Sequence, residues 1–421
     1  MTDKPKFYGW KLLAVLFVLD FINMGFPYYG GSVISSSMTI PMSRSTYGTA
    51  FTLLNLFVGL AAFVVAISIV KYGLRATFAI GSALICLGAL FLGYYADKPW
   101  HFLVAFGIVI GCGISFATLV PAATAVTRWF RRYRGLAMGI ALSASGFAGL
   151  GASKFLGRML QAARGNWHFG WKVVAVAAVG SGLIALLFVR ESPESLGQSA
   201  DGIADSEQGQ PTRTDALATK YPWTTKEAYG TSAYWLIALA SVAAQVPFFF
   251  MVGHWPKNLN GLGVAPSNVT TAMGLLTMGT LLGRWTGGFV MDFMNARRAY
   301  MIGLCFYFVA SYCALRVTPD SLWTIWVASV FTGAGFGWTF TCMNTCTAHY
   351  YGPGAFPKLN GMMVMITSTC ASPVGTLGGI IFDRYHSYAR VFELNAILAA
   401  FAIVVMFFAV MPKPRSPAGT A

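Results

Sequence analysis

Charge is what this chain has least of. Only 10% of its 421 residues are Asp, Glu, Lys or Arg, while 56% are hydrophobic; a soluble globular chain carries about 25% charged residues. That shortage excludes a water-soluble globular fold. Acids are scarcer than bases, 14 against 29, yet the formal net charge of +15 does not point to nucleic acid. Its carriers sit at the ends of apolar runs, where membrane orientation uses them. The seven cysteines (Cys86, Cys112, Cys305, Cys313, Cys342, Cys346 and Cys370) all fall in apolar runs, and none has histidine partners at ligand spacing. Cys342 and Cys346, one helical turn apart, read as small residues at helix contacts rather than metal ligands. No nucleophile clusters with a base, and no metal motif or phosphate loop is visible. The expectation is therefore no enzyme and no cofactor. Met1 to Lys6 is short and polar and the first apolar run is long enough to span a bilayer, so no cleavable signal peptide is expected.

What the chain does have is long apolar runs. Twelve are readable, at 8–30, 46–70, 76–94, 100–127, 135–158, 171–190, 233–255, 267–291, 299–316, 321–348, 359–382 and 389–411. Their length and apolarity predict membrane-spanning helices rather than strands. The one long polar stretch starts at Glu191 and includes Asp201, Asp205, Glu207, Arg213, Asp215 and Lys226. It reads as a linker. The predicted organisation is an N-terminal six-helix half, 1–190, a cytoplasmic linker, 191–228, and a C-terminal six-helix half, 229–421. With the N-terminus inside, 18 of the 29 Lys and Arg fall in inside segments and ten in outside ones, leaving Arg284 within the membrane. This bias predicts both termini in the cytoplasm. The basic cluster from Lys154 to Lys172 runs against it.

The halves repeat. Gly111-Cys112-Gly113 and Gly333-Ala334-Gly335 lie 222 residues apart, and the same offset places Trp129 on Tyr351. Each is followed by an inside loop and a small-residue span, Arg134-Gly135-Leu136-Ala137 in one half and Lys358-Leu359-Asn360-Gly361 in the other. Two matched six-helix halves imply a transporter whose site lies between them.

Within this frame one residue stands out. Arg284, in Gly283-Arg284-Trp285-Thr286-Gly287-Gly288, lies roughly 18 residues into its apolar run, near or just past mid-membrane at ~1.5 Å per residue. A guanidinium there cannot escape by deprotonating. It implies an anion: a substrate carboxylate held by two charge-assisted hydrogen bonds, or a permanent internal acid. Asp20 is the acidic residue well inside an apolar span. It is read either as a group that takes up a coupled proton or as a fixed structural acid or partner of Arg284. Asp292, Asp383 and Glu393 lie near helix ends, where capping or motif roles are expected. Asn344, Thr367, Ser368 and Gln245 offer uncharged hydrogen bonds, to substrate or between helices. The first helix is expected to break at Gly25-Phe26-Pro27-Tyr28-Tyr29-Gly30-Gly31. Tyr28 and Tyr29 would there close over a small acid or join an interfacial aromatic belt. His254-Trp255 reads as interfacial. Gly139, Ser143, Ser145, Gly146 and Gly149 permit close helix approach.

These residues resemble the major facilitator superfamily. The loops Lys71-Tyr72-Gly73-Leu74-Arg75 and Asp292-Phe293-Met294-Asn295-Ala296-Arg297-Arg298 are similar to its G-x-x-x-D-R-x-G-R-R motif. Asn295 stands at the turn glycine, where Asn tolerates a left-handed backbone, and Val70 stands where the first copy would have Asp. More specifically, Phe7-Tyr8-Gly9-Trp10 and Trp129-Phe130-Arg131-Arg132-Tyr133-Arg134-Gly135-Leu136-Ala137-Met138-Gly139 resemble signatures of the oxalate/formate antiporter and monocarboxylate transporter branch. Arg284 matches that branch's substrate-binding arginine. The resemblance implies an all-α, twelve-helix carrier in two pseudo-symmetric halves. Departures narrow the substrate. Thr367 stands where oxalate-type members carry a lysine, which argues against a dicarboxylate. Leu119 and Gly337 stand near places where those members carry aromatics, and Thr280 replaces the aspartate of animal monocarboxylate transporters.

The reading is a transporter of small monocarboxylates of the lactate, pyruvate or formate kind, working by alternating access with proton symport, in a bacterial inner membrane. Arg284, Asn344, Thr367, Tyr28 and Tyr29 would bind substrate, and Asp20 would couple the proton. The alternatives are proton-independent anion exchange of the oxalate/formate type and drug efflux.

Overall fold

The computed structural model describes residues 7–40, 44–202 and 218–413. Lys4, Lys6, Arg213 and Arg415 of the charge reading, and Asp205, Glu207 and Asp215 of the linker reading, lie outside the described residues. Among the described residues all regular structure is helical. Twelve spans carry the chain: α1 (9–36), α2 (44–72), α3 (74–94), α4 (99–129), α5 (Arg134–Ala162), α6 (Trp167–Phe188), α7 (Ser232–Gly261), α8 (Pro266–Met291), α9 (Ala296–Ala314), α10 (322–351), α11 (353–385) and α12 (Ala389–Phe408). Among the described residues seven stretches are long and apolar enough to cross a membrane: α1, the run through α2 and α3, α4, α5, α6, α7 and α12. Of the others, α8, α10 and α11 are rich in Gly, Thr and Ser, as suits close helix contacts. Large apolar side chains point outward instead, among them Val64, Leu87, Val176, Leu187, Ile397 and Phe408.

Local chemistry sets the interruptions. Gly73 (φ 84) parts α2 from α3, and Gly352 (φ 71) parts α10 from α11. That left-handed region costs glycine little. The break expected at Gly25–Gly31 does not form. Residues Gly25–Gly30 make a widened π turn, and α-helix resumes over Gly31–Ser36. An extra residue in the turn accommodates Pro27, which has no N–H to give. In α4 a break falls at Thr118 (φ −132, ψ −103). Pro121 lacks the N–H that the Ala117 carbonyl would accept, and Asn23 Nδ2 of α1 reaches that carbonyl at 3.4 Å while donating to Ser181 Oγ of α6 at 2.6 Å.

By packing, the chain forms two compact units. One comprises Met1–Tyr133, Ala137–Gly209 and Asn360–Pro373; the other comprises Arg134–Leu136, Gln210–Leu359 and Val374–Ala421. In the first unit, Gly107 and Gly111 of α4 lie against the backbone of Ala50 and Leu54 in α2, and Gly113 lies against Gly81 and Ile85 in α3. A Cβ at Gly111 or Gly113 would come within 3 Å of neighbouring backbone. The N-terminal aromatics dock on the start of the α4–α5 loop, with Phe7 5.7 Å from Phe130, Tyr8 5.7 Å from Trp129 and Trp10 5.0 Å from Phe130. Two signatures distant in sequence thus form one aromatic cluster.

The first unit also shows how the loop at Gly73 manages without an aspartate at Val70. Glu191, just past α6, accepts from the Leu74 and Arg75 amides at 2.8 and 3.1 Å and pairs with Arg128 at 3.3 Å. Arg75 Nε donates to the Val189 carbonyl at the end of α6. In the second unit Arg297, 222 residues on, donates to the Phe407 carbonyl at the end of α12 at 2.7 Å. Asn295, however, does not take the left-handed turn expected of it. It sits at φ −55 and caps α9, its side chain accepting from the Arg297 amide at 3.0 Å. Asp292 accepts from the Gly135 and Leu136 amides, 2.7 and 3.0 Å, at the start of α5. Those amides are orphan donors at a helix N-terminus and favour an anion.

The ends of the linker pack separately. Asp201 accepts from the Arg131 and Arg132 amides in the first unit. In the second, Thr224 and Glu227 cap the short helix Thr225–Tyr229 reciprocally. The Thr224 hydroxyl, and then its amide, hold the Glu227 carboxyl below its usual range.

In the second unit α8 and α10 meet backbone to backbone. Gly279 and Gly283 of α8 face the Val330 and Ala334 carbonyls, and Gly333 and Gly337 of α10 face those of Leu276 and Thr280. Gly283→Ala would drive a Cβ into the Ala334 carbonyl and should cost about 1–3 kcal/mol. Gly274, on the same helix, has open space at its Cβ position, so Gly274→Ala should be neutral or stabilising by up to about 1 kcal/mol. Thermal unfolding in detergent should separate the two, and equal midpoints would refute the contact. Glu191→Ala strips an acceptor from two helix-start amides and should lower the midpoint by the equivalent of about 1–2 kcal/mol. An unchanged midpoint would mean that the Gly73 turn holds without it.

Candidate functional site

The close approach of α8 and α10 governs the surroundings of Arg284. A Cβ at Gly337 would stand 2.9 Å from the Arg284 amide nitrogen, so only glycine lets α10 lie there. One turn further along α10 comes Phe340, and the Arg284 guanidinium carbon lies 5.6 Å from the centre of its ring. Arg284 is 8% exposed. It stands ~27 Å along α8 from Pro266, so roughly two turns remain before Asp292. A ring face offers a buried cation a partial counter-field, worth about 0.5–2 kcal/mol. Thr280, one turn before Arg284, is buried and donates to the Leu276 carbonyl at 3.1 Å.

An aromatic lane continues from Phe340. Phe336 stacks beside it with centroids 5.6 Å apart, and Phe248 of α7 stacks face to face on Phe336 at 3.8 Å and 9°. A narrow cleft beside this lane is lined by Ser241, Gln245, Tyr300, Phe336, Phe340 and Met343. Gly337 itself offers no ring, but Phe336 and Phe340 flank it on α10, and the Phe340 ring lies by Arg284. Their i, i+4 spacing was the signal available in the sequence. Asn344 follows one turn on, fully buried. Its amide nitrogen donates to the Phe340 carbonyl at 2.8 Å, while Oδ1 makes no hydrogen bond. Gln245 is 6% exposed, and its Nε2 makes no hydrogen bond.

The other expected residues lie in the first unit. Asp20 is 6% exposed on α1, one turn before Asn23. Thr367 is buried on α11, and its hydroxyl donates to the Met363 carbonyl of its own helix at 2.9 Å. Tyr28 turns inward against Phe51 and reaches Asn55 Oδ1 at 3.4 Å, with Tyr29 edge-on at 5.1 Å. Tyr29 lies over Gly149 of α5.

His254 and Trp255 face the protein interior and not an aromatic belt on its surface. They are 5% and 0% exposed, because α7 runs on for nearly two turns past them to Gly261. His254 Nδ1 sits 3.1 Å from the Tyr388 hydroxyl, and Trp255 Nε1 donates to Ser329 Oγ at 2.9 Å.

Comparison with known proteins agrees with this architecture. Over 119 residues the chain is 32% identical to the uncharacterized transporter ESBP6 of Saccharomyces cerevisiae, covering 28% of this chain and only 17% of that protein. It is 20% identical over 350 residues to monocarboxylate transporter 2 of Mesocricetus auratus, covering 80% of this chain and 70% of that one. In fold it resembles the proton:xylose symporter XylE, with a TM-score of 0.73 and 12% identity over 95% of each chain. The family model of the Major Facilitator Superfamily matches residues 7–259 and 236–421. Those two matches together account for the twelve spans, and the chain belongs to the major facilitator superfamily, as an integral membrane transporter and not an enzyme.

Proposed function

We propose that this chain carries small monocarboxylates of the lactate, pyruvate or formate kind by proton symport, through alternating access. Arg284 is the observation that carries the reading. A guanidinium 8% exposed within a membrane span is costly to keep, and a carboxylate is the small anion whose geometry matches its two-pronged fork. The likeness to a protein named monocarboxylate transporter 2 supports the same class. Asn344 adds a buried polar group on α10, and Thr367, Tyr28 and Tyr29 supply further contacts. Asp20, buried in α1, takes the coupled proton. The halves are 1–190 and 229–421, with both termini in the cytoplasm of a bacterial inner membrane.

Uptake of labelled lactate, pyruvate and formate into proteoliposomes tests the reading. Arg284→Ala should lower uptake at least about a hundredfold, the scale set by losing a buried charge-assisted pair. Undiminished transport by that variant would make the arginine structural and end the proposal. For Asp20→Asn, accumulation driven by an inward proton gradient should vanish while exchange against internal carboxylate persists. If the variant still accumulates acid in response to the gradient, Asp20 is not the coupling group.

A further inference from the structure

From the outer ends of α3 and α6 we infer a lipid site: the headgroup of one anionic phospholipid binds at Lys172 over Tyr94, and its acyl chains lie along the apolar wall that these two helices share. Lys172 belongs to the basic cluster that runs against the orientation bias, and the carboxylate reading at Arg284 gives it no role. The leaflet, outer, follows from the orientation proposed above. The site itself does not depend on which acid is carried.

Within the first unit, α3 and α6 are fastened to each other at two levels. At one, Arg75 Nε donates to the Val189 carbonyl just past α6. At the other, a Cβ on Gly93 of α3 would meet Lys172 Cγ and the His168 carbonyl at 3.1 and 3.3 Å, and the Lys172 ammonium stands 4.0 Å from the centre of the Tyr94 ring. Tyr94 lies ~28 Å along α3 from Arg75, close to the ~30 Å of a hydrocarbon core. Lys172 therefore stands at the depth of headgroup phosphates. The wall between the two levels is apolar and open. Lys172, Val176, Val179 and Leu183 follow one another on a single face of α6, and the three apolar residues are each at least 50% exposed. Leu87 and Phe91 lead up to Tyr94 on α3 in the same way, all three exposed. In a bilayer such a wall lies against acyl chains. An anion resting on Lys172 is thus continuous with lipid, which singles out a phospholipid over a free carboxylate.

The charges select the headgroup. Among the described residues the Lys172 ammonium makes no hydrogen bond or ion pair, and its partner is the face of Tyr94. A ring face attracts the cation and fixes its place, but leaves its three N–H donors to other acceptors. Lys98, exposed four residues past Tyr94, adds a second cation at this end, while Asp97 beside it is held by His101 Nδ1 at 2.8 Å. A phosphate supplies the counter-charge. The ammonium of a zwitterionic headgroup would bring a further positive charge to two lysines, whereas the glycerol of phosphatidylglycerol brings none. Basic residues at a membrane surface favour anionic lipid on these grounds.

Native mass spectrometry of the full-length protein, delipidated in a neutral detergent, tests the site. Titration with phosphatidylglycerol and with phosphatidylcholine gives the dissociation constant of the first lipid bound. The native chain should hold phosphatidylglycerol about fivefold tighter or more, the scale of one lysine near an anionic surface. Lys172→Gln should bring the two lipids within about twofold of each other, and Lys172→Arg should keep the native preference. Lys71→Gln, which removes a cation stacked on Tyr72 at the opposite membrane face, should leave the preference intact. Equal native affinities, a preference that survives Lys172→Gln, or the same loss in Lys71→Gln would overturn the inference. So would displacement of the bound lipid by inorganic phosphate or glycerol 3-phosphate, which would make Lys172 a site for a free anion. None of these readings involves Arg284, so the carboxylate proposal stands or falls separately.

Discussion

Glycine against carbonyl is the contact on which this structure depends. Inside a bilayer, apolar side chains gain nothing by leaving lipid for one another, so helices associate through close packing and polar contacts. In the second unit Gly279, Gly283, Gly333 and Gly337 bring α8 and α10 so near that a single Cβ would collide with backbone. In the first, Gly111 and Gly113 do the same for α4 against α2 and α3. The repeated glycine pairs at 111–113 and 333–335 are thus one packing device used in each half of the sequence.

The same device sets the chemistry at Arg284. With α10 lying on the Arg284 backbone, the long side chain runs alongside that helix and meets Phe340 one turn further on. A wider spacing would have admitted a Cβ at Gly337 and moved the ring away. Packing therefore places the cation over an aromatic face.

Much of the fold was legible because membrane spans are written as length and apolarity. Twelve runs were visible, and twelve spans formed with ends within a few residues at most boundaries. What escaped were features decided by contacts distant in sequence. Glu191 was read as a linker acid, because nothing local says that it will cap the amides of Leu74 and Arg75 across more than a hundred residues. Asn295 was assigned a backbone conformation from its residue type, yet its carbonyl oxygen found a better use as a helix cap. His254 and Trp255 were judged by their place near the end of an apolar run, which α7 outlasts. The break at Thr118 had a local signal in Pro121, one turn past it in α4, as did the ring pair Phe336 and Phe340 in their spacing.

The two loop copies show how a motif survives the loss of its letters. Amides at the start of a buried helix need an acceptor, since such donors tolerate no empty burial. The motif's own Asp292 supplies its oxygens to Gly135 and Leu136 at the start of α5, while Asn295 caps α9. In the first copy, Val70 occupies the aspartate position, and Glu191 brings a carboxylate from the far end of α6 to Leu74 and Arg75. The amides served differ, so the two acids are not equivalent locks. Asp292 ties the start of α5 into the second unit, whereas Glu191 staples α3 and α4 to the end of α6 within the first. The repeat therefore keeps its glycine pair at the same offset, 111–113 and 333–335, while the acids that cap the helix starts differ.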